Sequence, residues 1–412
     1  MENVYIVGVG KIRFNKYPTE TVRTMAEKAV NLALEDAGLG KDDLESIYFA
    51  NSFWGMFDKQ DSIRGQVIMR GMGIDKIPVT NVENACAGAS TALHLAYTGI
   101  RAGMFDVALA LGSEKITNPD KALSFAAYAR AIDVENFEKH INLITSMGKS
   151  FELPDAVSET APGQGRSVFM DVYAMMCRWH MSRFGSTQRQ LAEICSKNHF
   201  HSSLNPLAQY QNTMSVEEVL ADVPITYPLT RAMCAPVGDG AAAAIVCSES
   251  YLKKLQDIVP VKILASVLGQ GSDREMDGID IGERLSKQAY EMAGVGPEDI
   301  DFAELHDATA YGELHQSEVM GFCPHGEGGP FAESGATRLG GKIPLNTSGG
   351  LESNGHPIGA SGLSQIHELV TQIRGVAGKR QVAGARIGMA ENGGGSIGVE
   401  EAAMCIHILE KA

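Results

Sequence analysis

Two distant stretches of this chain repeat the same order of elements, so it must fold as two similar halves. The first copy runs from Ala26-Glu27 to Ala37-Gly38-Leu39-Gly40, then through Asp43-Leu44-Glu45 into the apolar run Ile47-Tyr48-Phe49. The second runs from Gly282-Glu283 to Ala293-Gly294-Val295-Gly296, then through Asp299-Ile300-Asp301 into Ala303-Glu304-Leu305. Each copy is an amphipathic helix stopped by a glycine, an acidic turn and a strand. The repeat continues further along. Cys86-Ala87-Gly88-Ala89-Ser90 opens a helix that ends near Gly103, before the strand Val107-Ala108-Leu109-Ala110-Leu111. His356-Pro357-Ile358-Gly359-Ala360-Ser361 opens another that ends near Gly375, before Ala385-Arg386-Ile387-Gly388-Met389. This alternation predicts an α/β protein with mostly parallel sheets.

The segment 119–230 breaks the pattern. It lacks strand alternation and is rich in Met, Tyr, Phe and His, with Met175, Met176, Met181 and Phe184 among helix formers. A mainly helical insertion is expected there, its methionines serving chiefly as packing surface. The domain expectation is therefore 1–118 with 231–250 as one half, 119–230 as an inserted loop domain, and 251–412 as the other half. At 412 residues, more than one core is the natural arrangement.

Charge narrows the partners. A formal net charge of −15 argues against nucleic acid, which needs clustered Lys and Arg, although a local basic pocket for one anionic cofactor stays open. No apolar run has membrane-spanning length, and the start carries no targeting pattern. The seven cysteines are scattered, without a Cys-x-x-Cys pair, so neither a disulfide framework nor a metal site is expected. These features together predict a cytoplasmic protein.

Among the reactive side chains Cys86 stands out. A strand turns into a helix at this residue, and its small neighbours admit another backbone or a substrate. Unpaired N–H groups at the helix start favour thiolate there. Cys177, Cys195, Cys234, Cys247 and Cys405 lie in helical or strand patterns and are expected to be inert. His356 holds the matching place in the second half, with Pro357 suited to a first helical position. Packing the halves about a pseudo-twofold axis brings the two starts together, giving a nucleophile and a base. His306-Asp307 follows a strand end, where a His can donate to an oxyanion. Glu391-Asn392-Gly393-Gly394-Gly395 reads as a strand end and tight loop whose N–H groups could form a second oxyanion site. His199 and His201 have no metal-ligand spacing and are expected to pack.

Taken together, Asn84-Ala85-Cys86-Ala87-Gly88-Ala89-Ser90, His306-Asp307, Asn354-Gly355-His356-Pro357-Ile358-Gly359-Ala360-Ser361-Gly362 and the terminal glycine triplet resemble the thiolase superfamily. The branch it resembles is the sterol-carrier-protein-2 type; Arg178-Trp179-His180-Met181 through Lys197-Asn198-His199 resembles its loop domain. The resemblance covers essentially the whole chain. It implies the thiolase fold, two pseudo-symmetric βαβαβαββ halves in α-β-α-β-α layers with a mainly helical loop-domain insertion. It also implies an acyltransferase that cleaves a 3-oxoacyl-CoA or runs the Claisen condensation in reverse. Cys86 would carry the acyl group and His356 would take its proton. His306 and His356 would hold the enolate oxygen. The N–H groups of Cys86 and of the 392–395 stretch would hold the tetrahedral oxyanion. Coenzyme A is then a co-substrate, with no permanent cofactor.

The sequence departs from the family at its second cysteine. The two places where that residue usually sits hold Glu391 and Ala308, so Glu391 is the candidate replacement acid–base group. An unusual, bulky or aromatic acyl substrate fits that change. The resemblance further implies a homodimer or dimer of dimers, with a small zinc-ribbon/OB-fold subunit as a possible partner. The alternatives are an aldolase-type lyase, although related aldolases lack the nucleophilic cysteine, and a C-acyltransferase working in a complex with an OB-fold partner. A non-catalytic lipid-binding scaffold is a third.

Overall fold

The computed structural model describes residues 2–412. Strands β1 (Val4–Lys11), β2 (Ser46–Ala50), β3 (Val79–Val82) and β4 (Val107–Glu114) belong to the first half. A hairpin of β5 (Pro224–Thr226) and β6 (Leu229–Thr230) lies in the inserted segment, and β7 (Gly240–Ser248) rejoins the first half. The second half supplies β8 (Val261–Gln270), β9 (Phe302–Glu304), β10 (Ile387–Gly394) and β11 (Ala403–Lys411). All but the hairpin join one sheet in the order β3-β2-β4-β7-β1-β8-β11-β10-β9.

That order displays the duplication, with β2, β4, β7 and β1 mirrored by β9, β10, β11 and β8. The halves join where β1 meets β8, through only Tyr5↔Lys262 and Ile6↔Val261. The expectation of mostly parallel sheets is corrected. β2 is parallel to β3 and β4, and β9 to β10, but every ladder from β4 through β7, β1, β8 and β11 to β10 is antiparallel. Parallel neighbours need a crossover such as a helix. β11 instead follows β10 through a short loop, and β7 returns only after the long insertion.

The first-half helices are α1 (Val22–Ala37), α2 (Trp54–Asp58), α3 (Arg64–Gly71) and α4 (Gly88–Arg101). The insertion contributes α5 (Lys121–Tyr128), α6 (Phe137–Gly148), α7 (Val168–Phe184), α8 (Gln188–Ser203) and α9 (Val216–Leu220), with α10 (Glu249–Leu252) after β7. The second half holds α11 (Ile281–Ala293), α12 (Ala310–Val319), α13 (Gly328–Glu333), α14 (Gly350–Asn354) and α15 (Ser361–Ile373). The duplicated helices α1 and α11 share their terminators. Thr21 and Asp280 cap the starts with reciprocal boxes, and left-handed Gly38 and Gly294 end them.

Helix α1 buries Met25, Ala29, Val30 and Ala33 against one sheet face together with Ile47, Leu109 and Ile245. Each large side chain buried this way contributes about 1.5–3 kcal/mol. α11 does the same in the second half, with Leu285 and Ala289 against Val267, Met404 and Ile406. Between the halves lie α4 and α15, where Leu93, Ala96, Leu363 and Ile366 meet apolar side chains from both sets of strands. The layers are therefore helix, strand, helix, strand, helix, as the family resemblance implies.

Small residues let the two central helices touch. A Cβ on Gly362 would stand 2.1 Å from Ser90 Oγ and 2.5 Å from Asn392 Oδ1, so only glycine permits that approach. In the insertion Met175, Met176 and Met181 pack with Val172, Leu191 and Ile194 against Tyr311 and Leu314 of α12. His199 and His201 are buried and bond the carbonyls of Asn212 and Asn346. No helix among the described residues is long and apolar enough to cross a membrane.

Candidate active site

Two corners of the duplicated scaffold meet at this site. In the first, β3 ends and Ala85 takes φ 47°, an uncommon left-handed conformation for a residue with a side chain. The Ala85 N–H donates to Glu83 Oε1 at 2.8 Å, and Asn84 Nδ2 donates to Thr91 Oγ1 at 3.0 Å. These bonds hold Cys86 in a single 3-10 turn, Ala85–Ala87, and α4 begins just after it. Strand β10 runs directly against this turn. A Cβ on Gly394 would lie 2.3 Å from the Asn84 carbonyl oxygen and 2.5 Å from the Ala87 nitrogen.

In the second corner α14 stops at Gly355, whose φ of 105° and ψ of 158° suit glycine alone. His356 follows, and α15 itself begins at Ser361. His356 Nε2 lies 3.2 Å from Cys86 Sγ. The rings of His306 and His356 meet edge to face with centroids 5.2 Å apart.

His306 is held in a defined tautomer. Ser90 Oγ donates to Asn392 Oδ1 at 2.9 Å, which turns the Asn392 amide so that its Nδ2 donates to His306 Nδ1 at 3.0 Å. The ring proton therefore sits on Nε2, free to donate. Glu391 lies behind this histidine: it is fully buried, and its Oε2 accepts the His306 backbone N–H at 2.9 Å. Its Oε1 has no hydrogen-bond partner among the described residues.

Burial dominates the electrostatics. It pushes the Cys86 thiol up to about 12, helped by the Glu83 and Glu114 carboxylates and opposed by the N–H groups of Cys86 and Gly395. The lowering expected from a helix start is thus outweighed. Burial holds His356 well below its usual value, with His306 adding to the effect, and brings His306 to about 4. The resting pair is a neutral thiol beside a neutral imidazole. Glu391 is pushed up to about 8 by burial and then by Glu401, which keeps it protonated at neutral pH.

The residues of the expected oxyanion stretch are placed differently from one another. Gly393 and Gly394 belong to β10 and pair with Met404 and Ala403 of β11, while Asn392 serves through its side chain. The loop N–H that reaches the Cys86 sulfur belongs to Gly395, at the turn itself. Cys86 Sγ and the ring nitrogens of His306 and His356 lie within 4.8 Å of one another. Among the described residues this is the one group of three or more ligand atoms spaced for a metal ion. An ion held there would occupy the nucleophile itself.

Comparison with known families decides what this arrangement is. The model described as thiolase, N-terminal domain, matches residues 4–250, and the thiolase C-terminal domain-like model matches 277–410. The chain belongs to the thiolase family. An acetyl-CoA acetyltransferase of Methanothermobacter thermautotrophicus is 36% identical over the full length of both chains. Human sterol carrier protein 2 is 36% identical, covering 95% of this chain and 70% of that protein. The benzoylsuccinyl-CoA thiolase subunit BbsB of Thauera aromatica is 34% identical across 90% of this thiolase and 89% of its own length.

Solved structures agree on the fold. The Ltp2-ChsH2(DUF35) aldolase matches 99% of this chain and 98% of its own, with TM-score 0.76 and 23% identity. Human mitochondrial 3-ketoacyl-CoA thiolase in complex with CoA matches with TM-score 0.69 and 16% identity, covering 100% of this chain and 98% of that one.

The site of this thiolase opens into a cavity of about 390 Å³, lined by Cys86, His306, His356 and the 393–395 glycines. Phe125, Tyr128, Phe169, Met170 and Tyr173 of the insertion form an aromatic wall. Lys16, Lys121, Arg166 and Arg231 add positive charge. Arg166 pairs with Asp171 and Arg231 with Asp222. Two lining residues escape sequence reasoning. Cys234, expected to be inert, is half-buried there beside Ala308, and its Sγ donates to the Thr230 carbonyl at 3.4 Å. Glu401 also lines the cavity, although Val399-Glu400-Glu401 looks like a solvated loop. Glu391 does not line it.

Proposed function

We propose that this thiolase catalyses CoA-dependent cleavage of a 3-oxoacyl-CoA, or the reverse Claisen condensation, through an acyl group carried on Cys86. The 3.2 Å contact between Cys86 Sγ and His356 Nε2 carries the proposal. His356 accepts the thiol proton as Cys86 attacks the keto carbon, so thiolate forms only as the bond to carbon forms. The C2–C3 bond then breaks, and the electron pair passes to the thioester enolate. His306 Nε2–H donates to that enolate oxygen. The N–H groups of Cys86 and Gly395 support the oxyanion of the tetrahedral intermediate. CoA is the co-substrate, and its thiol removes the acyl group from Cys86.

The aromatic wall and the cavity's size support a bulky or aromatic acyl group, and the lysines at Lys16 and Lys121 suit the phosphates of CoA. The name of the Thauera aromatica relative fits the same substrate class. The relative named as a subunit, and the aldolase structure titled with a DUF35 component, support a small zinc-ribbon/OB-fold partner. β3 ends the sheet with one ladder edge open, which supports a homodimer built by a second copy. Seven free cysteines favour a reducing cytoplasm.

The test is covalent. Incubation with a panel of acetyl-, succinyl- and benzoyl-CoA, followed by digestion and mass spectrometry, should find the acyl mass on the peptide containing Cys86. Cys86→Ala should lose both the adduct and turnover. Turnover that survives Cys86→Ala without any adduct, releasing an aldehyde or ketone with no need for CoA thiol, would favour the lyase alternative.

A further inference from the structure

Breaking the C2–C3 bond leaves a carbanion equivalent on C2, and a group facing the substrate must give it a proton. Glu391 cannot reach: it is fully buried, bonded to the His306 backbone, and absent from the cavity wall. The Cys234 thiol does face the cavity, but its hydrogen is committed to the Thr230 carbonyl and burial holds that proton tightly.

Glu401 is placed differently. The loop between β10 and β11 folds its side chain back over Gly393, where a Cβ would stand 2.6 Å from Glu401 Cγ. The residue is partly exposed and lines the same cavity as Cys86, His306 and His356. Gln316 Nε2 donates to its Oε1 at 3.3 Å and its own backbone N–H also reaches the carboxyl, which together fix it. Burial and Asp280 push this carboxyl up to about 7, against the pull of His315. His315 is itself charged: although burial opposes it, its hydrogen bond to Asp280 brings it to about 9. Glu400, Tyr173 and Glu391 are further titratable groups that interact with Glu401.

We propose that Glu401 is the acid–base residue of this site, protonating C2 as the C2–C3 bond breaks and deprotonating the CoA thiol afterwards. The proposal rests on the thiolase reading. Its protons balance over a cycle. The Glu401 proton goes to C2, leaving a carboxylate that takes the proton of the incoming CoA thiol. The CoA thiolate displaces Cys86 from its acyl group, and the Cys86 thiolate recovers its own proton from His356. In the condensation direction the carboxylate removes a proton from C2 of the acyl-CoA.

Two readouts on the same protein test this. With acetyl-CoA in D2O, mass spectrometry follows acetyl labelling of Cys86, while NMR follows deuterium entering the acetyl methyl group of acetyl-CoA. Glu401→Gln should still label at Cys86, though more slowly because CoA then leaves as its thiolate, but lose methyl exchange by the far larger factor of about 10² or more. Glu401→Asp, with a carboxyl on a shorter stem, should recover part of the exchange. A residue that only shaped the pocket would move both readouts together. Methyl exchange at the wild-type rate in Glu401→Gln overturns the proposal, as does loss of exchange in Cys234→Ser while Glu401→Gln retains it. A wild-type protein that never labels at Cys86 is a distinct result, and it overturns the thiolase reading itself.

Discussion

The two corners that build the site come from equivalent points of a duplicated scaffold, yet they do opposite chemistry. The Cys86 corner leaves a strand through a strained Ala85, and its side chain opens to the cavity. The His356 corner leaves a short helix through Gly355 and keeps its side chain almost wholly buried. Burial makes the thiol reluctant to ionise and makes the imidazole a neutral acceptor. Neither corner is reactive alone. A thiol pushed up to about 12 has almost no thiolate at neutral pH unless a base stands beside it.

That contrast can be broken. His356→Asn keeps a polar side chain but removes the acceptor, and alkylation of Cys86 by iodoacetamide at pH 7 should slow by about 10²–10⁴-fold. The variant's rate should climb steeply with pH, because hydroxide must then do the ionising. An unchanged rate would show that the helix start alone activates the thiol. Next in size is Gly362→Ala, which forces a methyl group into Ser90 and Asn392 where the corners touch. A stability loss of about 1–3 kcal/mol by urea unfolding is expected. Asn392→Ala frees His306 to switch tautomer, and kcat should fall by about tenfold, the worth of one hydrogen bond to a reacting group. Cys86 labelling should be spared, which separates the enolate side of the site from the nucleophile side.

A pH-dependent effect concerns the buried carboxyl behind His306. Folded Glu391 keeps its proton up to about 8, whereas the unfolded chain releases it near 4.5. Its contribution to stability is therefore complete below 4.5 and is lost as pH rises toward 8, at no more than about 1.4 kcal/mol per pH unit. Glu391→Gln should flatten the fall in stability between pH 5 and 8. The depressed histidines act oppositely, losing stability as pH falls below 6.5, so the difference between variant and wild type isolates Glu391.

The duplication, the pairing of Cys86 with His356 and the layer order were legible because helix stops, capping residues and glycine-rich starts are local signals. Strand direction at the centre of the sheet was not. β1 pairs with a strand that returns only at Gly240, and nothing near Val4 records that partner. Which glycine of the run faces the sulfur was not legible, because strand pairing extends through Gly394 and a glycine run conceals where it stops. Glu401 was missed for a related reason. An acidic pair after a glycine loop reads as solvent-facing, and only the fold-back of the β10–β11 hairpin turns it inward.

The meeting of the corners has a consequence for how the enzyme is born. In synthesis Cys86 emerges 270 residues before His356, and Asn392 and Gly395 follow later still. A nascent or truncated chain carries an ordinary surface thiol with no base beside it. Acyl chemistry is therefore withheld until the two halves have closed on each other.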